Sequence, residues 1–212
     1  EYWQPKGHDI CVVDNFTTGS KSLVENLPNV EVHNFSISDF EKLSSVVESF
    51  SPQIIINSAA SYSDPLNWKL DTSTNIIGAI NICKAAEFHS VKRIINFQTA
   101  LCYGHPIKLP ISETDHTNPF TSYGISKLAG ELYMINSGLD VISLRLANIT
   151  GPRLSIGPIP IFYSRLKDGK ACFCTDSKRD FVDIKDFLKL MDILLYNENT
   201  KGVFNVSSGN SY

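Results

Sequence analysis

The chain has 212 residues, 42% of them hydrophobic and 19% charged, which suits a globular α/β domain with a small appended lobe. A net charge of −3 and an isoelectric point near 6.0 give no basic field for nucleic acid or an anionic membrane. No apolar run approaches the roughly 18 residues of a membrane span, and the opening Glu1-Tyr-Trp-Gln-Pro-Lys6 reads neither as a signal peptide nor as a typical initiation sequence.

In chain order, Ile10-Cys-Val-Val13 reads as a buried strand ending at Asp14, and Asn29–Phe35 as a second strand. Asp39–Phe50 is an amphipathic helix with Leu43, Val46, Val47 and Phe50 at helical spacing. Gln53–Asn57 is a third strand, followed by a long helix over Pro65–His89 and a fourth strand at Arg93–Phe97. A helix carrying Tyr123 precedes a fifth strand at Asp140–Arg145. Short apolar strands separated by helices imply βαβ units and a parallel sheet. After Gly151 the Gly/Pro-rich stretch to Pro160 reads as a loop into a small lobe. That lobe has a helix at Ile161–Lys167, a strand near Cys172, a helix at Ile184–Leu195 and a strand at Val203–Val206.

The five cysteines (Cys11, Cys83, Cys102, Cys172, Cys174) are odd in number and lie mostly in apolar runs. They predict no disulfide framework and a reducing, cytoplasmic setting. Cys172 and Cys174 alternate as strand residues do and are read so, with a metal or redox pair as the alternative; no metal is expected.

Asp14 closes the first strand. In dinucleotide folds a carboxylate there accepts hydrogen bonds from the adenosine ribose and disfavours the extra phosphate of NADP; a plain turn aspartate is the alternative. The glycine-rich loop that normally accompanies it lies about 20 residues earlier, before residue 1. The expectation is therefore a chain that lacks a first strand and phosphate loop, and part of its C-terminal lobe. Residues 1–212 alone are then expected to be poorly stable and not to hold NAD.

The most informative stretch is Thr121-Ser-Tyr123-Gly-Ile-Ser-Lys127-Leu-Ala-Gly-Glu131. Tyr123 and Lys127 stand about one helical turn apart and share a face. A phenol normally ionises near pH 10, and a lysine cation held close favours the phenolate. The pair is read as a general base for alcohol oxidation, with a surface helix as the alternative.

Together the segments match a family. They are Val12-Val-Asp-Asn15, Asn57-Ser-Ala-Ala60, Asn75-Ile-Ile-Gly-Ala79, Phe97–Gly104, Ser122–Lys127, Arg145–Arg153, Arg179-Asp-Phe-Val-Asp183 and Phe204–Gly209. The chain resembles the extended short-chain dehydrogenase/reductase proteins, specifically the NAD-dependent sugar-nucleotide epimerase/dehydratase group. The wording around Phe97–Gly104 and Arg145–Pro160 resembles members from bacterial O-antigen gene clusters.

The resemblance implies a Rossmann-like, doubly wound parallel sheet over 1–152 with a partial substrate-binding lobe over 153–212, of which parts near 180–207 return to the first domain. It implies NAD as cofactor, a nucleotide-diphosphate sugar as substrate, and a homodimer through the Tyr-Lys helix and its neighbour. Tyr123, Lys127 and Thr99 become the catalytic residues, with Thr99 orienting the sugar hydroxyl. Cofactor contacts fall to Asp14, Asn15, Ser36, Ile37, Ala59, Ala60, Ser61, Asn75 and Ile149, besides Tyr123 and Lys127. Asn148 and Arg179 join Thr99 on the substrate. Serine at 36, where many members carry aspartate, puts the adenine amino contact in doubt. For Arg179 a surface ion pair with Asp180 or Asp183 is the alternative, for Asn75 a helix-packing role, and Arg153 stays undecided.

The 4,6-dehydratase members carry Asp-Glu directly after the catalytic threonine, and here Ala100 and Leu101 replace that pair. The resemblance therefore implies a nucleotide-sugar 4-epimerase working through a transient 4-keto sugar, in surface polysaccharide (O-antigen) and lipopolysaccharide biosynthesis. A 4-reductase or dehydratase of the same family, or a non-catalytic dinucleotide-binding protein, remains the alternative.

Overall fold

In the computed structural model, which describes residues 1–212, the apolar runs form strands whose N–H and C=O groups pair into three sheets, of two, four and two strands. The chain divides into two units. One comprises Glu1–Arg145 with Asn199–Asn205, the other Leu146–Glu198 with Val206–Tyr212.

In the first unit, β1 (Ile10–Asp14) runs parallel to β2 (Val30–Asn34), with Ile10 opposite Val30 and Asp14 opposite Asn34. β3 (Ile54–Asn57) runs parallel to β4 (Arg93–Thr99), with Ile54 opposite Arg93. Beyond β4 the sheet continues through β5 (Val141–Leu146) to β8 (Gly202–Val206), giving the order β3-β4-β5-β8. β1 and β2 form a separate two-stranded sheet, and β1 and β3 are not hydrogen-bonded to one another.

The helices start where short polar side chains satisfy free amides. Asp39 accepts from the Lys42 amide at the start of α1 (Phe40–Phe50), whose Leu43 and Val47 are buried. Asn67 accepts from the Leu70 amide at the start of α2 (Trp68–Asp71). The long helix read over Pro65–His89 is not uniform. After α2 it passes through a π-helical stretch at Thr72–Ile77 before α3 (Gly78–Phe88). Such wide turns recur at functional sites, and this one contains Asn75. Thr121 caps α4 (Ser122–Ile135) by accepting from the Gly124 amide at 3.1 Å.

One core joins Leu43 and Val47 of α1, Ala79, Ile82 and Ala86 of α3, Ile94, Met134 and Val141. Polar groups at the sheet centre are paired rather than solvated, as burial demands, save for Asn57 Oδ1, which is buried without a hydrogen-bond partner. Arg93 holds Asp140 through two hydrogen bonds of 3.0 Å. Asn57 donates to Asn96 at 3.0 Å, Asn96 to Ser143 at 3.2 Å, and Ser143 to Glu131 of α4 at 2.7 Å. Glu131 also receives the Arg145 guanidinium, with Nη2 to Oε2 at 2.9 Å.

In the second unit, β6 (Asn148–Thr150) runs parallel to β7 (Phe181–Asp183), a pairing the sequence does not announce. Asp183 caps α6 (Ile184–Tyr196) by accepting from the Lys185 amide, and Phe187, Met191 and Leu194 are buried along one stripe. The helix read at Ile161–Lys167 begins earlier, as α5 (Pro158–Lys167), because proline fits the first turn of a helix. The strand read near Cys172 does not form. No neighbouring strand lies beside this segment, whose groups bond back to α5: Arg165 donates to the Ala171 carbonyl at 2.7 Å and Cys172 to that of Phe162 at 3.8 Å.

α4 approaches the π-helical stretch closely enough that a Cβ on Gly130 would collide with the Asn75 carbonyl oxygen. We expect Gly130→Ala to destabilise the protein by about 1–3 kcal/mol, the usual cost of overpacking. Urea denaturation checks this, and an unchanged midpoint would contradict the close approach.

Candidate active site

Asp14 ends β1 with its Oδ1 accepting from the Phe16 amide at 2.7 Å. Gly19 leaves room beside the other oxygen: a Cβ there would lie 3.2 Å from Oδ2. Asp14 and Asn15 line a cavity of about 220 Å³ together with Ser36, Ile37, Ala59, Ala60 and Ser61. Seven positions that the resemblance assigns to the cofactor therefore converge on one hollow. Ser36 turns its hydroxyl to Ser38 at 2.9 Å, within its own loop. The Ile37 side chain fills the space that a Cβ on Gly78 would need.

Asn75 joins the loop after β3 to α4. Its Oδ1 accepts from the Ser61 amide at 2.9 Å, while Nδ2 donates to the Ser61 carbonyl at 3.0 Å and to Ser126 Oγ at 2.9 Å. Holding both faces of one residue's backbone makes the cavity wall rigid. The neighbouring Asp71 accepts from Ser61 Oγ at 2.7 Å and from Ser122 Oγ at 2.6 Å.

Tyr123 and Lys127 lie in the first two turns of α4, and Lys127 is only 4% exposed. Thr99, at the end of β4, lies beside the Tyr123 phenol and favours its ionised form, and its hydroxyl accepts from the Leu101 amide at 3.2 Å. Gln98 locks the strand to the helix: its amide donates to the Lys127 carbonyl at 2.8 Å and accepts from the Thr99 amide at 2.8 Å.

The electrostatics correct one expectation. Spacing alone suggests that Lys127 draws the Tyr123 phenol toward ionisation. Burial instead pushes that phenol up to about 12, and the nearby Tyr62 and Asp71 push in the same direction against the Thr99 hydroxyl. Burial likewise pulls Lys127 down to about 8, opposed by the Glu131 carboxylate one turn along α4. Desolvation, which penalises every charged form, outweighs the helical proximity of the pair.

Asp71, Gln98 and Tyr62 escape sequence reasoning. Tyr62 lines the cavity, and its ring meets that of Tyr123 edge-on at 6.2 Å. The one available signal was Asp71 itself, an acid one turn before Asn75 on a helix face turned to the sheet.

The remaining assigned residues belong to the second unit. Asn148 and Ile149 lie on β6, where Asn148 Nδ2 donates to the Asp180 carbonyl at 2.9 Å. Arg179 pairs its backbone with that of Tyr212. The ion pair weighed for Arg179 does not form, because Asp180 accepts from the Ser208 and Gly209 amides and Asp183 caps α6.

The sequence signature of the NAD dependent epimerase/dehydratase family matches residues 1–207. UDP-glucose 4-epimerase of Lacticaseibacillus casei is 29% identical over 97% of this chain and 71% of its own length. Among solved structures, the Bordetella bronchiseptica enzyme WbmG in complex with NAD and UDP superposes with a TM-score of 0.97 at 50% identity, covering 100% of this chain and 68% of WbmG. UDP-glucose 4-epimerase of Thermotoga maritima with UDP-glucose superposes at 0.90 with 29% identity, covering 100% of this chain and 72% of that one.

Lys127 gives a pH signature. Its folded pKa lies below its unfolded value, so above about pH 8 the unfolded chain binds the extra proton. Stability relative to Lys127→Met should then rise with pH, by up to about 3 kcal/mol between pH 8 and about 10.5. Denaturant melts of both proteins across that window check it, and a flat difference would contradict the buried ammonium.

Proposed function

We propose that this chain, which belongs to the NAD dependent epimerase/dehydratase family, forms the core of a nucleotide-sugar 4-epimerase. The observation that carries the reading is the placement of Thr99 beside the Tyr123 phenol, whose ionised form it favours, with Ala100 and Leu101 beyond it. One hydroxyl and one phenol serve to hold and deprotonate a carbinol, and no carboxylate follows to drive water elimination.

The cavity suits NAD by the chemistry of its lining. A strand-end carboxylate is placed for ribose hydroxyls, and small alanines leave space for a backbone approach to a diphosphate. Asp14, Asn15, Ser36, Ile37, Ala59, Ala60 and Ser61 would hold the cofactor there, with Tyr123 and Lys127 toward its reactive end. When bound, NAD supplies a cationic ring that accepts a hydride from a carbinol carbon and returns it.

Tyr123 takes the sugar 4-hydroxyl proton and later gives it back, and Thr99 orients that hydroxyl. Lys127, still largely cationic at neutral pH, stabilises negative charge as it develops on the phenol oxygen. With its phenol pushed up to about 12, Tyr123 keeps its proton in the resting site; it must first release that proton to solvent, a loss the Lys127 ammonium favours, and the resulting phenolate is then a strong base for the sugar hydroxyl. Asn148 and Arg179 are the candidates for the substrate diphosphate, because the planar guanidinium fork matches phosphate oxygens. The relatives named for UDP-glucose and the WbmG complex with UDP support a uridine diphosphate sugar. The likeness to O-antigen cluster proteins supports a place in surface polysaccharide synthesis.

A homodimer fits the outer faces of α3 and α4. Phe88, Ile125, Leu132 and Tyr133 are more than half exposed there, and Leu132 and Tyr133 line a groove of about 610 Å³. A cytoplasmic setting agrees with five free cysteines and with the absence of any helix long and apolar enough to cross a membrane.

In the intact protein, Tyr123→Phe should lower kcat by roughly 100- to 10,000-fold, the range general base catalysis supplies. Equilibration of two UDP-sugars without net NADH consumption supports the epimerase, whereas stoichiometric NADH loss favours the reductase. An unaffected Tyr123→Phe enzyme would sink the assignment. Leu132→Glu should convert a dimer to a monomer by light scattering.

A further inference from the structure

We infer that Asp71 is a positioning residue that fixes Tyr123 against the cofactor cavity, an inference that rests on the functional reading above and deepens it. The carboxylate is 1% exposed and has no ion-pair partner. A buried charge without a counter-charge is costly, so its retention calls for a reason beyond packing. Its two oxygens supply one. Oδ1 accepts from Ser61 Oγ at 2.7 Å and Oδ2 from Ser122 Oγ at 2.6 Å.

Ser61 belongs to the cavity wall, and Ser122 is the residue immediately before Tyr123. One rigid anion therefore spans the two parts that must be held in register, the cofactor's wall and the base. Hydrogen bonds to a charged acceptor are short and strong, which suits such a brace. The Asn75 clamp on Ser61 and Ser126 lies one turn further on and reinforces the same register. The groups acting on the phenol are Thr99 from β4, Tyr62 from the loop after β3 and Asp71 from α2. Of these, Asp71 is the one carboxylate, and it works against the Tyr123 phenolate.

The test uses Asp71→Asn, which keeps shape and removes charge, and Asp71→Ala, which removes both contacts. Both are made in the intact protein. Three quantities are read: the Tyr123 titration by NMR of carbon-labelled tyrosine, assigned with Tyr123→Phe; NAD affinity by fluorescence; and kcat. Both variants should ionise Tyr123 at lower pH than the wild type, and Asp71→Asn, which keeps the packing, should do so without any loosening of the helix, a shift that a purely structural role would not produce. Asp71→Ala should also weaken NAD binding about tenfold. Its kcat should fall at least about tenfold, because a displacement near 1 Å costs up to about 100-fold. If Asp71→Ala leaves the titration, NAD affinity and kcat within twofold of wild type, the inference falls. The first two readings need no turnover. A failure of the epimerase reading, seen as a fully active Tyr123→Phe, is thus distinguishable from a failure of this one.

Discussion

A carboxylate and a guanidinium buried together under α4 set the terms for everything the site does. Glu131 is 1% exposed and receives Arg145 in a forked geometry. Ser143 donates to the same carboxylate, while Arg145 also donates to the Tyr103 hydroxyl at 2.9 Å, which in turn donates to Asn205 at 2.7 Å. Burial works against the Arg145 charge, but the hydrogen bonds with Glu131 and Tyr103 more than offset it and leave the guanidinium pKa above its usual value. Losing one partner of such a pair typically costs about 3–5 kcal/mol, because the other charge is left stranded. The pair fixes the depth and rotation of α4. Lys127 and Tyr123, one and two turns before Glu131, are held where they stand.

That constraint explains the electrostatic state of the site. A helix free to ride outward would give Tyr123 and Lys127 ordinary solution behaviour. Held against the sheet, both groups are pushed toward their neutral forms, the phenol up to about 12 and the ammonium down to about 8. The Glu131 carboxylate limits the second shift. A resting site of this kind keeps the proton on the phenol, where it does no work until positive charge and substrate arrive together. Strong bases held in reserve by burial are a recurring solution to acid–base chemistry near neutral pH.

Much of this was legible in the residues. Tyr123 and Lys127 announce themselves by one-turn spacing, Asp14 by its place at a strand end, and Ile54–Asn57 and Arg93–Thr99 by unbroken apolar character. What escaped has physical causes. The β6–β7 ladder unites Asn148–Thr150 with Phe181–Asp183 across some thirty residues, and three-residue strands leave no periodicity to detect. Alternation at Cys172 and Cys174 mimics a strand, but a strand needs a neighbour, and none stands there. The direction of the Tyr123 shift depends on how much protein surrounds the ring, which helical spacing does not encode. Asp71 looks like any helical acid until the fold places Ser61 and Ser122 against its two oxygens. Ala100 and Leu101, by contrast, restrict the chemistry by what they lack, and that restriction is visible in the sequence alone.

The central claim is that a hydride leaves and returns at a single sugar carbon while the Tyr123 oxygen carries the proton of the adjoining hydroxyl. A UDP-sugar labelled with deuterium at C4, turned over by the intact protein in ordinary water, tests this most directly by mass spectrometry and NMR of the product. The account predicts an epimer that keeps its deuterium at C4 and forms more slowly than from unlabelled substrate. Loss of the deuterium to solvent would contradict it.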